Sequence, residues 1–197
     1  MVSGYEHVMT MKPKWLTISV ICFLAVAALA EPRVRPAEWA RPVVGTRLQN
    51  CYQVTPHLFR SKQPRARDTA ELKALGIRTV VTLRDRHGDA PLERSGSFRL
   101  VQVPMDAGSV TREELLQALR VIRDAPKPVL VHCWHGSDRT GVVVAAYRMV
   151  FQGWSQERAI DELVNGGYGF HAQTYGNLVS LLQSIEPSEW RQELGLP

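Results

Sequence analysis

The stretch 129–141 constrains this chain more than any other part of its sequence. An apolar run over 128–131 predicts a short buried strand, and a second run over 142–150 has the length and the polar punctuation of a helix. The loop between them begins with Cys133 and ends with Arg139. Because a strand-to-helix loop points successive backbone N–H groups into one concavity, at the positive end of the helix dipole, it is suited to binding a tetrahedral dianion.

Two side chains of this loop supply what phosphate chemistry needs. The positive field of the loop favours the thiolate form of Cys133, which is the nucleophilic form. Arg139 adds a planar fork that holds two phosphate oxygens at once. If Cys133 were only a buried cysteine in a tight turn, Asp138 and Arg139 would be buried without a ligand, which is costly. The residues therefore predict a phosphate-ester hydrolase that works through a phosphocysteine.

Two segments carry a resemblance to a known family. Residues 132–141 fit the pattern H-C-x-x-G-x-x-R-[ST]-G, which resembles the signature loop of the cysteine-dependent protein tyrosine and dual-specificity phosphatases. Residues 59–64 resemble the Y-R-S-x-Q-P element of the atypical dual-specificity branch of bacteria, fungi and plants, where we expect Arg60 to be a structural hydrogen bonder. The resemblance covers about 51–182. It implies a three-layer α/β/α fold with a central, mostly parallel sheet, and hydrolysis without a metal or a cofactor.

Two aspartates compete for the role of general acid, which must protonate the departing alcohol. Asp106 lies in a loop after a predicted strand, at a place similar to the mobile acid-bearing loop of the family. Asp138 lies directly before Arg139, and this ending resembles the loops of myotubularin-type and some bacterial phosphatases, where an acid within the loop acts. A carboxyl group that faces a bound dianion is more readily protonated, so both are candidates. Loop flexibility favours Asp106, and proximity to the phosphoryl group favours Asp138.

The other loop residues are assigned to substrate binding and to support of the nucleophile. The hydroxyl of Thr140 is placed to hydrogen-bond the sulfur of Cys133 and to ease its departure in the second step. We expect His132 to order the loop from below rather than to transfer protons. The candidate substrate-binding residues are Trp134, His135, Gly136 and Ser137.

Strands and helices alternate along the rest of the chain, which predicts a parallel sheet with right-handed crossovers. Asp68 and Glu71 are placed to form a capping box at the start of a helix. The charged loop 84–89 follows a strand and is interpreted as solvated. The predicted strands and hairpin span 52–59, 77–83 and 99–103, and the predicted helices span 68–75, 111–123, 155–165 and 175–185, before a terminal turn after Pro187 that packs Trp190.

Residues 1–30 differ from the rest of the chain and predict a secretory signal peptide. Lys12 and Lys14 precede an apolar segment, 15–29, which ends in small residues before Glu31. We therefore expect export, to a bacterial periplasm. The alternative is an uncleaved membrane anchor, although the apolar segment is short for a membrane span.

The part that follows Glu31 is predicted to hold a linker and one domain. Residues 31–47 carry three prolines among Arg and Ala, which is typical of a linker or an extended arm. The phosphatase domain is then expected over 48–197. We expect Cys51 to pack as a small hydrophobic residue, and a reversible bridge between Cys51 and Cys133 is the alternative.

Charge and motif content limit the partners. The formal charge of +5 is dispersed, without a Lys/Arg tract, so nucleic acid is not an expected partner. We expect a monomer that acts on a phosphorylated protein or a small phosphoester, and that meets a membrane only through an uncleaved N-terminal segment. A phosphoinositide or inositol phosphate phosphatase is an alternative, although the loop lacks the Lys that such branches tend to carry. A non-catalytic phosphate-binding module is the other alternative, but it has no reason to retain Cys133 together with Thr140.

Overall fold

One six-stranded sheet carries the residues around Cys133. A computed structural model of the chain describes Met1 and residues 34–86 and 88–197. The strands are β1 (Arg41–Pro42), β2 (Tyr52–Thr55), β3 (Leu58–Ser61), β4 (Thr79–Arg84), β5 (Arg99–Met105) and β6 (Val129–His132). They lie in the order β1-β2-β3-β6-β4-β5. The first three strands pair antiparallel, whereas β3, β6, β4 and β5 pair parallel, so the expected mostly parallel sheet is confirmed.

Helices cover both faces of this sheet. They are α1 (Thr69–Ala74), α2 (Ala90–Glu93), α3 (Arg112–Asp124), α4 (Asp138–Gln152), α5 (Gln156–Asn165), α6 (Gly176–Gln183) and α7 (Pro187–Glu193). Side chains of α1 and α2 share an apolar cluster with Leu130 of β6, whereas side chains of α3 to α7 share another with Val129 and Val131. Because successive side chains of a strand point to opposite faces, the two clusters lie on opposite faces of the sheet. The three-layer α/β/α architecture is therefore confirmed.

The helix that follows the Cys133 segment is buried on most of its surface. It is predicted over 142–150 and begins earlier, at Asp138. Gly141 lets α5 pack closely, since a Cβ at this position would lie 2.4 Å from the Leu163 Cδ1 atom. A helix that is apolar on most sides belongs to the core. This core position holds the N-terminus of α4, with its free N–H groups, next to the end of β6.

The two described cysteines belong to different clusters. Cys51 is buried with Leu48 and Leu72 on one face of the sheet, and Cys133 belongs to the cluster on the other face. Both thiols are free. The expectation that Cys51 packs as a small hydrophobic residue is confirmed, and a bridge between the two sulfurs would have to cross the sheet.

Residues 35–47, which we expected to be part of a linker, instead pack on the domain. Trp39 and Ala40 are buried. The Arg35 guanidinium donates hydrogen bonds to the Gly166 carbonyl at 2.5 Å and to the Tyr168 hydroxyl at 2.6 Å. The compact unit therefore begins at Arg35 rather than at residue 48. Proline fixes an extended backbone, and here that backbone lies along the domain instead of crossing solvent.

The predicted capping box of Asp68 and Glu71 is not formed. A 3-10 turn over Ala66–Asp68 precedes α1, and the Asp68 carboxylate accepts a 2.7 Å hydrogen bond from the backbone just before that turn. The Glu71 carboxylate accepts hydrogen bonds from the Thr46 hydroxyl at 2.5 Å and from the Arg47 N–H at 2.8 Å. The Glu71 carboxylate, which the local pattern predicts to cap the helix, is therefore bound instead by residues 46 and 47, which lie far from it in the chain.

The predicted signal segment, 1–30, lies outside the described residues apart from Met1. Within the described ranges, no helix has the length and the apolar character needed to cross a membrane. Cleavage of the segment and its retention as an anchor therefore both stay predictions.

Candidate active site

Cys133 lines a cavity beyond the carboxyl end of β6. The residue is 3% exposed, and the Cys133 loop, residues 133–137, connects β6 to α4. The cavity has a volume of about 310 Å³. The described residues that line it are Arg84, Ala107, Cys133, Trp134, His135, Asp138, Arg139 and Tyr175. The structure thus brings together five of the predicted site residues with three that the sequence did not single out.

Gly136 is the point where the Cys133 loop lies against β3. Its backbone has a φ of +75°, in the left-handed region that favours glycine. A Cβ at Gly136 would lie 2.4 Å from the Ser61 carbonyl oxygen, so no other residue fits without displacing the loop. The Gly136 carbonyl accepts a 2.8 Å hydrogen bond from the buried Arg60 guanidinium. The structural role expected for Arg60 is therefore confirmed.

Asn50 and Tyr168 hold the loop at its other side. The Asn50 side-chain amide donates hydrogen bonds to the His135 carbonyl at 2.9 Å and to the Tyr168 carbonyl at 3.0 Å. The Ser137 hydroxyl donates to the same Tyr168 carbonyl at 2.7 Å. The Ser137 side chain is thus occupied in fixing the loop, and the substrate-binding prediction for Ser137 can rest only on its backbone.

His132 is buried and paired with Asp89. The His132 Nε2 atom lies 2.9 Å from the Asp89 carboxylate, and both side chains are almost fully buried. The His132 Nδ1 atom lies 3.1 Å from the Cys133 carbonyl oxygen. This arrangement agrees with the expectation that His132 orders the loop from below, and Asp89 is a supporting residue that the sequence did not indicate. Within the ranges 34–86 and 88–197, no three His, Cys, Asp or Glu side chains form a group that could hold a metal.

Arg139 lines the cavity and is bonded to the end of β5. Its Nη1 atom donates a 2.9 Å hydrogen bond to the Met105 carbonyl and lies 3.6 Å from the Asp85 carboxylate. The guanidinium has five N–H donors in a plane, so this bond leaves others for a phosphate group.

Asp138 is tied to the loop that carries His171. The residue is 7% exposed, and its carboxylate accepts a 2.9 Å hydrogen bond from the His171 backbone N–H. The His171 Nδ1 atom lies 3.0 Å from the other carboxylate oxygen. Although Asp138 lines the cavity, its carboxylate therefore already has two partners.

Asp106 is exposed on the turn after β5 and is not among the residues that line the cavity. Its carboxylate accepts hydrogen bonds from the Gly108 N–H at 3.1 Å and from the Ser109 hydroxyl at 3.3 Å. Its two neighbours are attached to the site, since the Met105 carbonyl binds Arg139 and Ala107 lines the cavity. Asp106 thus caps its own turn in this structure, on a segment that is anchored to the cavity on both sides.

Thr140 lies in the first turn of α4 and is fully buried. Its hydroxyl oxygen has no hydrogen-bond partner among the described residues. The predicted hydrogen bond to the Cys133 sulfur is therefore not formed in this structure. A buried hydroxyl without a partner is unfavourable, and it leaves a donor free at the N-terminus of α4.

Arg84, at the end of β4, is the main site residue that the sequence did not indicate. Its guanidinium lies over the Trp134 ring, 4.3 Å from the ring centroid, and donates a hydrogen bond to the Gln63 side chain. Burial lowers the pKa of Arg84, and the nearby charge of Arg139 lowers it further. Arg84 could have been found from the predicted topology, because the carboxyl ends of neighbouring parallel strands lie at the same end of a sheet and Arg84 ends the strand next to β6.

Comparisons with known proteins agree with this geometry. A family model described as "Polymorphic toxin system, DSP-PTPase phosphatase" matches residues 56–153. Dual specificity protein phosphatase TpbA of Pseudomonas aeruginosa (strain UCBPP-PA14) is 36% identical over 168 residues, which cover 79% of this chain and 74% of TpbA. A crystal structure of a Cys-to-Ser variant of P. aeruginosa TpbA in complex with pTyr has a TM-score of 0.73 and 31% identity, covering 82% of this chain and 99% of that chain. Inositol diphosphatase DSP2 of Oryza sativa subsp. japonica is 33% identical over 57% of this chain and 59% of its own length.

Proposed function

This chain belongs to the dual-specificity protein phosphatases, which are cysteine-dependent phosphoric monoester hydrolases, and on that premise we propose that it removes phosphate from phosphotyrosine with Cys133 as the nucleophile. The observation that carries the proposal is the position of Cys133. It lines a cavity together with Arg139, beside the N-terminus of α4, whose free N–H groups favour an anion.

In the first step, the Cys133 thiolate attacks phosphorus while the bond between phosphorus and the ester oxygen breaks. The negative charge on the remaining phosphoryl oxygens is stabilised by Arg139 and by backbone N–H groups of the Cys133 loop. The phosphoryl group passes to sulfur, and the ester oxygen leaves as a phenol after it takes up a proton. Because Gly136, Arg60 and Ser137 hold the loop in place, its donors need little reorganisation when charge develops.

We propose that Asp106 is the general acid that donates the proton to the leaving ester oxygen. Asp138 is the weaker candidate because its carboxylate is already bound by the backbone and the ring of His171. Asp106 is held only by its own turn, and its neighbours Met105 and Ala107 keep that turn at the cavity. A rotation of this turn would bring the carboxyl group over a bound ester.

In the second step, a water molecule attacks the phosphocysteine and releases inorganic phosphate. The Asp106 carboxylate takes a proton from that water, and the Cys133 sulfur leaves as a thiolate. We propose that the Thr140 hydroxyl donates a hydrogen bond to the departing sulfur in this step. The bond would give a buried donor, which has no partner among the described residues, a partner.

Aromatic side chains around the cavity favour an aryl phosphate as the substrate. Trp134 is 49% exposed, and its ring lies near that of His135, with a centroid distance of 6.3 Å. Tyr175 also lines the cavity, and the centroid of its ring lies 6.3 Å from that of the His171 ring. Aromatic rings that line a cavity in this way pack well against the ring of a phosphotyrosine. The Cys133 loop has no lysine, which disfavours inositol phosphates as the main substrates.

Replacement of the nucleophile tests the proposal. We expect Cys133→Ser to abolish release of phosphate from a phosphotyrosine peptide while it retains binding of tungstate, a phosphate analogue, in calorimetry. The matched control is Cys51→Ser, which changes a thiol in the other cluster and should keep turnover at some cost in stability. Wild-type turnover should be unaffected by a metal chelator. Turnover by the Cys133→Ser variant would contradict the phosphocysteine intermediate.

The proposed location is outside the cytoplasm, in a bacterial periplasm. The support is the sequence of residues 1–30, which has the basic start, apolar centre and small-residue end of a signal peptide. Cleavage before Glu31 would leave the packed contacts of Arg35 intact.

A further inference from the structure

A second cavity lies beside the Cys133 cavity and has no part in the proposed reaction. Its volume is about 390 Å³. The described residues that line it are Lys62, Gln63, Pro64, Arg65, Arg84, Gly88 and Trp134. Arg84 and Trp134 also line the Cys133 cavity, so the two cavities meet at this pair of side chains.

The charge of the second cavity is positive. Three of its described lining residues are basic and none is acidic. The Lys62 ammonium group donates to the neutral side-chain amide of Gln49 at 3.1 Å, and Arg84 donates to the neutral side-chain amide of Gln63. An amide oxygen satisfies a hydrogen-bond donor but does not neutralise its charge. Asp85 and Asp89 act on Arg84 from outside the lining, so the charge of Lys62 and Arg65 is what favours an anion in this cavity.

The wall between the two cavities is held in place. The Arg84 guanidinium is fixed between the Trp134 ring and the Gln63 side chain. The Gln63 backbone N–H in turn donates a 3.2 Å hydrogen bond to the Trp134 carbonyl, which belongs to the Cys133 loop. The charge of Arg139, on the Cys133 side, lowers the pKa of Arg84 in addition to the effect of burial. Two guanidinium groups held near each other are stabilised when an anion binds close to both.

We propose that the second cavity is a subsite for a further anionic group, a phosphate or a carboxylate, on the same substrate that Cys133 attacks. Lys62 and Arg65 bind this group, and Arg84 lies at the junction between it and the scissile phosphate. The cavity is within the size range of small-ligand pockets, which starts at about 300 Å³. The inference rests on the proposed function and adds a preference, namely for substrates with two neighbouring anions over substrates with one.

The experiment compares two pairs of substrates whose members differ only in the second anion. One pair is a phosphotyrosine peptide flanked by Glu and the same peptide flanked by Gln. The other is an inositol bisphosphate with adjacent phosphates and an inositol monophosphate. The double variant Lys62→Gln, Arg65→Gln removes two charges from the cavity, and Lys73→Gln is the matched control, since Lys73 is exposed on α1 and outside the cavity.

We expect the wild-type protein to prefer the substrate with the second anion by about tenfold in kcat/KM, mainly through KM, because hydrogen bonds to charged groups are of that strength. The double variant should reduce this ratio to near one, and Lys73→Gln should keep the wild-type ratio. A preference within the peptide pair identifies a carboxylate of a protein substrate, and a preference confined to the inositol pair identifies a small polyphosphate.

p-Nitrophenyl phosphate carries one phosphate and no second anion, so its hydrolysis measures the reaction at Cys133 independently of the proposed subsite. A wild-type protein that hydrolyses this compound but shows no preference in either pair would overturn the subsite and leave the proposed function standing. A double variant that keeps the full preference would also overturn the subsite. A wild-type protein that hydrolyses none of these compounds would overturn both proposals.

Discussion

The backbone of Gly136 lies so close to Ser61 that a Cβ on Gly136 would come within 2.4 Å of the Ser61 carbonyl oxygen. The neighbouring Lys62 backbone nitrogen would lie 2.7 Å from the same Cβ. Both are backbone atoms at the end of β3, so neither can move away by a change of rotamer as a flexible side chain could. The Cys133 loop is therefore seated directly on the end of β3, and the position of the nucleophile depends on this contact.

Gly136→Ala should displace the Cys133 loop and reduce turnover. Its φ of +75° adds about 1–2 kcal/mol of backbone strain for any L-residue, and the contact with Ser61 adds a steric cost. A displacement of about 1 Å is enough to lower kcat about a hundredfold. Thermal unfolding and turnover of p-nitrophenyl phosphate measure the two effects.

The matched control for this change is Gly153→Ala. Gly153 also has a positive φ, +66°, but a Cβ at this position meets no atom within 4 Å. This variant should lose stability through backbone strain alone and keep its turnover. If both variants kept wild-type kcat, the close contact at Gly136 would not control the position of Cys133.

The two aspartates are separated by their dependence on the leaving group. We expect Asp106→Asn to slow the first step, attack by Cys133, about a hundredfold or more with phosphotyrosine, whose phenolate needs a proton, and much less with p-nitrophenyl phosphate. Asp138→Asn should show a smaller loss that is the same for both substrates, because its main effect is to weaken the hydrogen bonds to His171. Single-turnover rates with the two substrates measure the difference.

The opposite pattern would transfer the role of acid to Asp138. In that case the loss in Asp138→Asn would depend on the leaving group and Asp106→Asn would be nearly silent. Equal losses in both variants, with no dependence on the leaving group, would contradict both assignments.

We expect the lowered pKa of Glu71 to make the protein less stable in acid. Hydrogen bonds from the Thr46 hydroxyl and from Arg47 lower the pKa of Glu71 from 4.5 to about 2. Because the folded-state pKa is the lower one, the carboxylate stabilises the fold above about pH 4.5, and this contribution is lost as the pH falls towards 2. We expect the difference in Tm between the wild-type protein and Glu71→Gln to shrink over that range.

Thermal unfolding between pH 6 and pH 2 measures this difference, and Glu93→Gln is the control, since Glu93 is exposed on α2. A difference between the wild-type protein and Glu71→Gln that stays constant over the whole range would show that Glu71 does not titrate as described.

The mature protein should begin at Glu31. The apolar segment 15–29 ends in small residues, and the first packed residue, Arg35, lies a few positions beyond the expected cleavage site. Mass spectrometry of the protein from its own host gives the N-terminus directly. A membrane-bound form that starts at Met1 or Met11 would establish an anchor in place of a signal peptide.

The features predicted from the sequence are those that local patterns specify. The strand predicted over 128–131 forms over Val129–His132, and the Cys133 loop and the buried helix follow it. They follow from an apolar run, a glycine-containing loop and a second apolar run. The helix predicted over 111–123 is another local pattern, and α3 begins there with a capping box of Thr111 and Glu114. In each case the residues that decide the structure are neighbours in the chain.

The features that were missed depend on residues far apart in the chain. Arg84 stands in a charged segment that is typical of a solvated loop, and only the pairing of β4 with β6 places it at the cavity. Arg35 stands among prolines that are typical of a linker, but its partners Gly166 and Tyr168 lie more than 100 residues later. His171 likewise reaches Asp138 only after α5 has reversed the chain.

The placement of the two cysteines on opposite faces of the sheet decides how the enzyme responds to oxidants. An oxidant that reaches Cys133 converts it to a sulfenic acid. A nearby thiol can condense with the sulfenic acid to form a disulfide, and reduction of that disulfide restores the Cys133 thiol. Cys51 cannot supply that thiol, because it is buried in the other cluster and burial raises its pKa to about 12. Among residues 34–86 and 88–197 there is no further cysteine, so in this part of the chain recovery of the nucleophile depends on reducing thiols from solution. In an oxidising compartment, the supply of such reductants would set the fraction of molecules that can turn over.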